Sequence, residues 1–541
     1  MADRMMSRRT MLEGTVQAAT AAAVLGASRW ALPADPASTR MSVEVLLEEA
    51  IGTIKPAVYS HFAEHIGGVI YDGIWVGPDS KVPNIDGIRK AIVEHVRRLG
   101  PVVVRWPGGC FADKYHWRDG IGPRKNRPRR FGRWREETES NQFGTHEFMR
   151  FCRLSGVEPY FAANVGTGTA EEYQRWVEYC NGPPGSTTLA DERASNGDRD
   201  PLAVRLWGVG NESWGCGGKF TPEDYCTEYR RFTEWLPSYG QKLYLIAAGP
   251  NGNDTNWTRR FFKKWADYSR APIQGWAPHY YCGTTGHALN FSHDQWYEML
   301  GKANQMERLI LDQWAALGEF DREHKVKLVV DEWGAWHPPG TEINPRHLFE
   351  QMGCLRDALV AALTLDTFNR HAEKVDMANI AQLVNNLHSL FLADGDHFVA
   401  TPTFHVFEMY RPHQGSRGVR IAVEAPEVRY HASGEEKRLF RVAGSASVQG
   451  SVLVLTLVHT HVDEPAEVAI RLRSGSAAGL RQAMLTHREL NAHNTFEQPE
   501  EVVPKSRTTE VNGSSFQVVL PPASVTRLDV RLAGSGGGGT S

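Results

Sequence analysis

Two apolar runs in the sequence each end on a glutamate, Glu212 and Glu332. Residues 204–212 read VRLWGVGNE and residues 326–332 read VKLVVDE, and both runs are typical of buried strands. If the strands are parallel members of one sheet, both carboxylates lie at its C-terminal edge, where α/β barrels carry their catalytic residues. Two carboxylates flanking one bond, one protonated and one ionised, can cleave a glycosidic linkage. A salt-bridged rim residue would explain one such glutamate, but two strand ends favour a catalytic pair.

Two shorter motifs add candidate residues. Residues 61–65 read HFAEH, which matches the His-x-x-Glu-His pattern of inverted zinc peptidases. That chemistry requires a helix, and the flanking glycines and β-branched residues disfavour one, so we interpret Glu64 as the end of the first barrel strand. Residues 105–110 read RWPGGC and end a strand in a turn that presents Arg105 and Cys110 to the mouth of the barrel. The alternative is a tight turn with Cys110 as a small core residue.

A basic run with interleaved aromatic residues covers residues 124–135. Such a run can bind nucleic acid. The net charge of -3 gives no field that would hold a polyanion, so the run favours a long solvated loop and no nucleic-acid partner is expected. Within this loop Trp134 is a candidate to line a sugar site.

Apolar β-branched runs alternate with amphipathic helices over residues 58–385. One such helix, at residues 88–99, has its apolar side chains at helical spacing and ends at Gly100. Strand and helix repeated roughly eight times predict an α/β chain with a (β/α)8 TIM barrel. An open doubly wound sheet is the competitor, but no strand is followed by a Gly-x-Gly-x-x-Gly turn.

The pattern changes near residue 386, where short alternating runs replace the helical period. These runs are separated by Gly, Pro, Ser and Asn clusters, which is typical of an antiparallel β-sandwich. We therefore predict a jelly-roll-like C-terminal domain at 386–533, to which an extended segment at 42–57 adds a strand. The last residues, 534–541, are predicted to be a flexible tail.

The first residues, 1–37, resemble a twin-arginine export signal, with SRRTML at 7–12 followed by an Ala-rich run. This run is too short and too weakly apolar to span a bilayer, so no stable membrane anchor is expected. The predicted location is the periplasm or the extracellular space, and a disordered Ala-rich tail is the alternative. Because twin-arginine cargo crosses the membrane folded, the chain need not depend on disulfides formed outside, and its seven cysteines without CxxC spacing fit that view.

Five motifs occur in order along the chain: FAEH at 62–65, RWPGGC at 105–110, WGVGNE at 207–212, VDEW at 330–333 and AQLVN at 381–385. Together they resemble the α-L-arabinofuranosidases of glycoside hydrolase family 51, and the resemblance runs from about residue 42 to 532. It implies a (β/α)8 barrel, a C-terminal β-sandwich and a retaining double displacement that needs no metal and no organic cofactor. By analogy it also implies a homo-oligomer.

The resemblance assigns roles to residues. Glu212 is expected to be the general acid/base and Glu332 the nucleophile. The expected substrate-binding residues are Glu64, Arg105, Cys110, Asn211, Tyr281 and Gln382, of which Arg105 hydrogen-bonds the nucleophile. Tyr281 is preferred over the adjacent Tyr280 because it matches the family's His-x-Tyr spacing.

The implied activity is the release of terminal, non-reducing α-L-arabinofuranosyl residues from plant-type arabinan or arabinoxylan. Two alternatives stand beside it. The same barrel can cut β-1,4-glucan or xylan internally, and the fold can also serve as a non-catalytic carbohydrate-binding scaffold. The intact carboxylates Glu212 and Glu332 argue against the scaffold.

Overall fold

A computed structural model of the chain describes residues 41–132, 134, 138–268, 270–283 and 285–533. The predicted signal at 1–37 and the predicted tail at 534–541 lie outside the described residues. The strands are β1 Met41–Thr53, β2 Ser60–Phe62, β3 Asn84–Ile85, β4 Ile88–Arg89, β5 Val103–Trp106, β6 Arg130–Phe131, β7 Thr138–Glu139, β8 Glu158–Ala163, β9 Leu206–Val209, β10 Tyr244–Asn251, β11 Gly275–Cys282, β12 Lys327–Ala335, β13 Val375–Ala381, β14 Phe391–Asp394, β15 His397–Ala400, β16 Arg417–Glu424, β17 Glu427–Ala432, β18 Glu435–Phe440, β19 Val442–Gln449, β20 Val452–His459, β21 Ala466–Arg473, β22 Ala477–Thr486, β23 Lys505–Thr509, β24 Ser515–Leu520 and β25 Ser524–Leu532. The helices are α1 Lys90–Arg98, α2 Thr145–Ser155, α3 Ala170–Asn181, α4 Thr188–Ser195, α5 Pro222–Thr233, α6 Thr255–Tyr268, α7 His293–Gly318, α8 Leu355–Arg370 and α9 Pro402–Tyr410.

Eight strands close into a parallel barrel in chain order: β2, β5, β8, β9, β10, β11, β12 and β13. At least one helix stands between each strand and the next, from α1 before β5 to α8 before β13. The predicted (β/α)8 barrel is therefore confirmed. Because the strands are parallel, all their C-terminal ends open on one face.

The helices begin where side chains can cap them. Thr169 accepts a hydrogen bond from the Glu172 amide at the start of α3, and Thr221 does the same for Asp224 at α5, where Pro222 fills the first turn. Ser292 and Gln295 form a capping box at the start of α7. Within the described ranges, no helix is long and apolar enough to cross a membrane.

The C-terminal domain is built on a nine-stranded sheet in the order β23-β22-β25-β20-β19-β16-β1-β21-β24. Its pairings are antiparallel except that β1 runs parallel to β21. One apolar core is formed by residues of strands from both halves of this sheet, including Val43, Leu455, Ile470 and Val530. No other element contributes a buried residue to this core among the described residues, so the sheet folds over on itself, and the predicted C-terminal antiparallel domain is confirmed.

Helix α8 lies between the barrel and this sheet, and its residues 355–369 are all buried. Near its C-terminal end Asp366 accepts hydrogen bonds from Ser445 Oγ and Thr456 Oγ1 at 2.6 Å each and from Tyr410 Oη at 3.0 Å. Burial raises the pKa of this carboxyl to about 6, although the hydroxyl donors oppose the rise. The cluster fastens the sheet to the barrel through one buried acid.

Replacement of Asp366 by alanine is expected to lower the free energy of unfolding by about 3 kcal/mol, because three buried hydroxyls lose their shared acceptor. Asp366→Asn keeps one acceptor oxygen and is expected to lose less than half as much. Urea unfolding monitored by fluorescence and circular dichroism measures both variants. Equal losses in the two variants would show that the hydrogen bonds to this residue do not stabilise the junction.

Candidate active site

Glu212 and Glu332 lie together at the C-terminal face of the barrel. One carboxylate oxygen of each and one ring nitrogen of His279 lie within 4.8 Å of one another. His279 Nδ1 is 3.2 Å from Glu212 Oε1 and 3.4 Å from Glu332 Oε2. The side chain of Glu212 is 18% exposed and that of Glu332 only 7%, so solvent reaches the first carboxylate more readily.

The predicted strand ends differ slightly from those in the structure. β9 ends at Val209, so Glu212 stands in the loop beyond it, whereas Glu332 lies inside β12, which continues to Ala335 alongside the long β11. Glu212 has a φ of +38°, a conformation that costs a non-glycine residue about 1–2 kcal/mol. The amides of Gly215 and Gly217 both donate to the Glu212 carbonyl and hold this turn.

Glu332 is surrounded by donors. Arg105 Nη1 donates to its Oε1 at 2.7 Å and Tyr281 Oη donates to its Oε2 at 2.9 Å. Burial alone would raise the pKa of this carboxyl, but His279 and Arg105 outweigh burial and hold the pKa at about 2. The carboxylate is therefore ionised at neutral pH.

Arg105 bonds both Glu332 and Asn211, the residue before Glu212. It is buried on β5 with its guanidinium 4.8 Å from the centre of the Phe62 ring, and its Nη2 donates to Asn211 Oδ1 at 2.7 Å. Asn211, the neighbour of Glu212, is thereby fixed relative to Glu332. A cation that is buried, planar and engaged on several sides has little freedom to move.

His279 was not predicted as a site residue. Its Nε2 is 2.8 Å from Asp331 Oδ1, and Asp331 Oδ2 accepts from Tyr160 Oη at 2.8 Å. Burial lowers the pKa of this imidazole, but Glu332 and Asp331 raise it well above its ordinary value. The sequence did contain an indication of this role: His279 is two residues before Tyr281, and side chains two apart on a strand lie on the same face.

The adjacent tyrosines of β11 diverge. Tyr281 bonds Glu332, whereas Tyr280 Oη donates to the Lys302 carbonyl on α7. This is the alternation of a strand, and it places Tyr281 in the pocket and Tyr280 against the helix layer. The preference for Tyr281 agrees with this geometry.

Glu64 and Gln382 form the floor next to Glu332. The Glu64 amide donates to Gln382 Oε1 at 2.9 Å, and Glu64 Oε1 accepts from the amides of Gly109 and Phe111. Burial and the nearby charge of Glu332 raise the pKa of Glu64 to about 7. The segment 60–65 is a strand followed by an irregular turn, so the helix that a zinc peptidase motif needs is absent from these described residues.

Cys110 lies between Gly109 and Phe111, whose amides bind Glu64, and it forms a disulfide with Cys216. The Cys110 sulfur is 3.7 Å and the Cys216 sulfur 3.3 Å from Glu212 Oε2. Cys216 was not predicted as a site residue, and the expectation that the chain need not depend on disulfides formed outside gave no indication of this pair. The two cysteines are 106 residues apart, so no local spacing reveals them.

In the part that the structure describes, the basic run is a connecting segment that also contains one 3-10 turn and the short strand β6, and its arginines are largely paired. Arg127 forms a bidentate ion pair with the buried Glu147, and Arg130 forms one with Asp119. Trp134 makes an edge-to-face contact with Phe349. Phe349 makes the same kind of contact with Trp336, and Trp336 with Tyr281. A row of aromatic side chains therefore leads from this segment to Tyr281, the hydrogen-bond donor to Glu332.

Replacement of Arg105 by methionine is expected to move the acid limb of kcat/KM to higher pH by at least about one unit, or 1.36 kcal/mol. The pKa of Glu332 is held at about 2 partly by Arg105, so its removal lets burial raise the pKa and the ionised nucleophile is lost at a higher pH. Initial rates over a pH series measure the limb. Arg205→Met, which removes an exposed partner of Glu158, is the control and is expected to leave the limb unchanged. An unmoved limb in Arg105→Met would contradict this account.

A closed parallel barrel that holds two neighbouring glutamates at the C-terminal face of its strands, one of them ionised beside an arginine, is typical of a barrel glycoside hydrolase. Comparison with known proteins gives the family. Residues 95–297 match the model of the alpha-L-arabinofuranosidase 1 domain, and residues 331–524 match that of the alpha-L-arabinofuranosidase C-terminal domain. The chain belongs to the α-L-arabinofuranosidases of glycoside hydrolase family 51.

Three relatives support this assignment. An intracellular exo-alpha-L-arabinofuranosidase from Bacteroides ovatus is 36% identical over 501 residues, which cover 91% of this chain and 95% of the relative. The crystal structure of the family 51 arabinofuranosidase from Xanthomonas axonopodis pv. citri matches with a TM-score of 0.86 and 36% identity, over 91% of this chain and all of that one. The arabinose complex of the Thermotoga maritima α-L-arabinofuranosidase matches with a TM-score of 0.81 and 30% identity over the same shares.

The prediction of an exported protein is wrong by these comparisons. The Bacteroides ovatus relative, aligned over nearly its whole length, is an intracellular enzyme. The export prediction rested on a short arginine motif and a weakly apolar alanine run within residues 1–37, which lie outside the described residues. Short basic motifs before small residues occur by chance, which is the physical weakness of that interpretation.

Proposed function

We propose that this enzyme releases terminal non-reducing α-L-arabinofuranosyl residues from arabinan- and arabinoxylan-type glycans by a retaining double displacement. The observation that carries the proposal is that one carboxylate oxygen of Glu212 lies within 4.8 Å of one carboxylate oxygen of Glu332. Retaining glycosidases hold their carboxyl groups about 5–5.5 Å apart, whereas inverting enzymes leave about 6.5–9.5 Å for a water. The narrow gap supports the retaining class.

In the first half of the reaction Glu332 attacks the anomeric carbon while Glu212 protonates the departing glycosidic oxygen. This role is supported by the hydrogen bonds from Arg105 and Tyr281 to Glu332 and by the low pKa of its carboxyl, which keep it ionised. The bond from the anomeric carbon to the leaving oxygen breaks as the bond to the Glu332 oxygen forms. A covalent glycosyl-enzyme results, with the configuration inverted once.

In the second half Glu212 acts as a base on water, which displaces Glu332 and restores the original configuration. The greater exposure of Glu212 supports this role, since the water must arrive on its side. Asn211, fixed by Arg105, is proposed to bond the sugar 2-hydroxyl, and Glu64, Cys110 and Gln382 to line the furanose pocket. Carboxylates carry every proton in this cycle, so it requires neither a metal nor an organic cofactor.

The alternatives are less well supported. Internal cleavage of β-1,4-glucan or xylan is not favoured, because the Bacteroides ovatus relative is an exo-acting arabinofuranosidase. A non-catalytic scaffold has no use for a buried nucleophile whose pKa is held at about 2.

Proton NMR of the first products from arabinoxylan or arabinan tests the proposal. We expect free L-arabinose as the first product, released in the α configuration before mutarotation, and no early fall in the viscosity of the polymer. Release of β-arabinose would overturn the retaining mechanism. A rapid fall in viscosity without free arabinose would favour the endo-acting alternative, and sugar binding without turnover would favour the scaffold.

We also propose that the barrel comprises residues 58–385 and the C-terminal domain residues 386–533, with 42–57 as an added strand. The end of β13 at Ala381 and the pairing of β1 with β16 support these limits. By analogy with the family, the working unit is proposed to be a homo-oligomer, which sedimentation velocity tests directly.

A further inference from the structure

Three side chains with metal-ligating atoms meet at one wall of the pocket. Cys110, Cys216 and Glu212 each offer one ligand atom, and these atoms lie within 4.8 Å of one another. All three residues are partly exposed, so they open onto the pocket instead of the core. The two sulfurs are joined as a disulfide, in which state neither is a thiolate.

Reduction would change the chemistry of this wall. A dithiol reductant gives two electrons and two protons to the bond between Cys110 and Cys216, and leaves as its own disulfide while two thiols form. Tetrahedral zinc with Zn–S bonds of about 2.3 Å holds its two sulfurs roughly 3.8 Å apart. The Cα atoms of the two cysteines are 5.6 Å apart, and side-chain rotation alone spans that sulfur separation.

We propose that reduction of the Cys110–Cys216 bond creates an inhibitory site for a thiophilic divalent cation of the zinc type, held by both thiolates and the carboxylate of Glu212. Binding releases the two thiol protons to solvent. A carboxylate whose lone pair is on the metal can neither donate a proton to the leaving oxygen nor accept one from water. This consequence for activity rests on the proposed acid/base role of Glu212, whereas the site itself does not.

Two other locations for the cation, one that shares Glu212 and one that uses the other cysteines, are less suitable. Glu212, His279 and Glu332 also place ligand atoms within 4.8 Å, but the ring nitrogens of His279 are already engaged by Asp331 and the two glutamates. The remaining five cysteines are free but buried: Cys152, Cys180, Cys226, Cys282 and Cys354. The wall formed by Cys110, Cys216 and Glu212 therefore offers the accessible sulfur ligands.

The test compares full-length enzyme kept oxidised with enzyme reduced by dithiothreitol and freed of reductant without air. Each sample is dialysed against ZnCl2 and analysed for bound metal, and is titrated with CdCl2 for thiolate-to-metal absorption in the ultraviolet. Hydrolysis of an aryl α-L-arabinofuranoside is followed at the same metal concentrations. Cys110→Ser and Cys216→Ser each remove one sulfur, and Cys226→Ser on α5 is the matched control.

We expect one more zinc per chain in the reduced enzyme than in the oxidised enzyme, with thiolate absorption in the cadmium titration. At a free zinc concentration ten times Kd, the reduced enzyme is expected to be about elevenfold slower, and EDTA should restore the rate. The Cys110 and Cys216 variants should bind zinc at least about tenfold more weakly, and Cys226→Ser should bind it like the reduced parent.

Equal zinc binding by the oxidised and reduced enzymes would overturn the proposal, as would full binding by Cys216→Ser. Zinc bound to the reduced enzyme without loss of rate would place the ion away from Glu212 and would also contradict it. If the chain does not hydrolyse arabinofuranosides at all, the proposed function fails, while dialysis and cadmium absorption still decide whether the site exists.

Discussion

Glu332→Ala is expected to lower kcat/KM on every arabinofuranoside by about 10^4- to 10^6-fold, because the group that forms the covalent intermediate is gone. A better leaving group should not restore the rate, since departure of the aglycone still needs a nucleophile on the opposite face. Azide can enter the space left by the side chain. It should then give β-L-arabinofuranosyl azide, the inverted product, which NMR identifies.

The control is Glu319→Gln, which removes one carboxylate from an exposed pair with Arg259 and is expected to leave the rate within about twofold. Circular dichroism and an unfolding curve show whether Glu332→Ala is folded, which matters because Arg105 and His279 lose a buried counter-charge. A folded Glu332→Ala variant that retains a tenth of the rate would exclude this residue as nucleophile.

Glu212→Ala is expected to lose about 10^2- to 10^4-fold on natural glycans, whose alkoxide leaving groups need a proton. On an aryl substrate with an acidic phenol the first step needs no proton, so the glycosyl-enzyme should form quickly and accumulate. The second step lacks its base, and KM should therefore fall with kcat. A burst of phenol followed by slow turnover measures this pattern.

Azide distinguishes this variant from the first. In Glu212→Ala it attacks the glycosyl-enzyme in place of water, raises the steady-state rate and gives α-L-arabinofuranosyl azide, the retained product. Recovery of the β-azide from Glu212→Ala and of the α-azide from Glu332→Ala would exchange the two roles. An equal loss on aryl and natural substrates would remove Glu212 from the role of proton donor.

The sequence could predict those parts of the fold that depend on local pattern. Strands β9 and β12 are apolar runs, and the sequence motifs at their ends are enough to predict that Glu212 and Glu332 lie on one face of the barrel. The helix α5 begins with Thr221 and Pro222, where capping chemistry predicts it. Hydrophobic periodicity and helix capping depend on residues that are close in the chain, so both can be predicted from a single sequence.

The remaining parts of the site depend on contacts between distant segments. Asp331 is turned toward His279 and Tyr160 by the barrel, and nothing near Tyr160 in the chain reveals its partner. The disulfide partner of Cys110 lies beyond two further strands of the barrel. The low pKa of Glu332 could not be predicted from local sequence either, because the charged groups that lower it lie on two other strands.

Strand β1 gives the chain an order of assembly. It precedes the barrel in the sequence, yet its hydrogen-bonding partners are β16 and β21, more than 360 residues later. During synthesis the apolar side chains of Val43 and Val45 on this strand stay exposed, and its backbone stays unpaired, until the strands after the barrel have been made. The domain that follows the barrel is thus completed by a strand that precedes it, and a barrel expressed without residues 386–533 would carry an unpaired strand prone to aggregate.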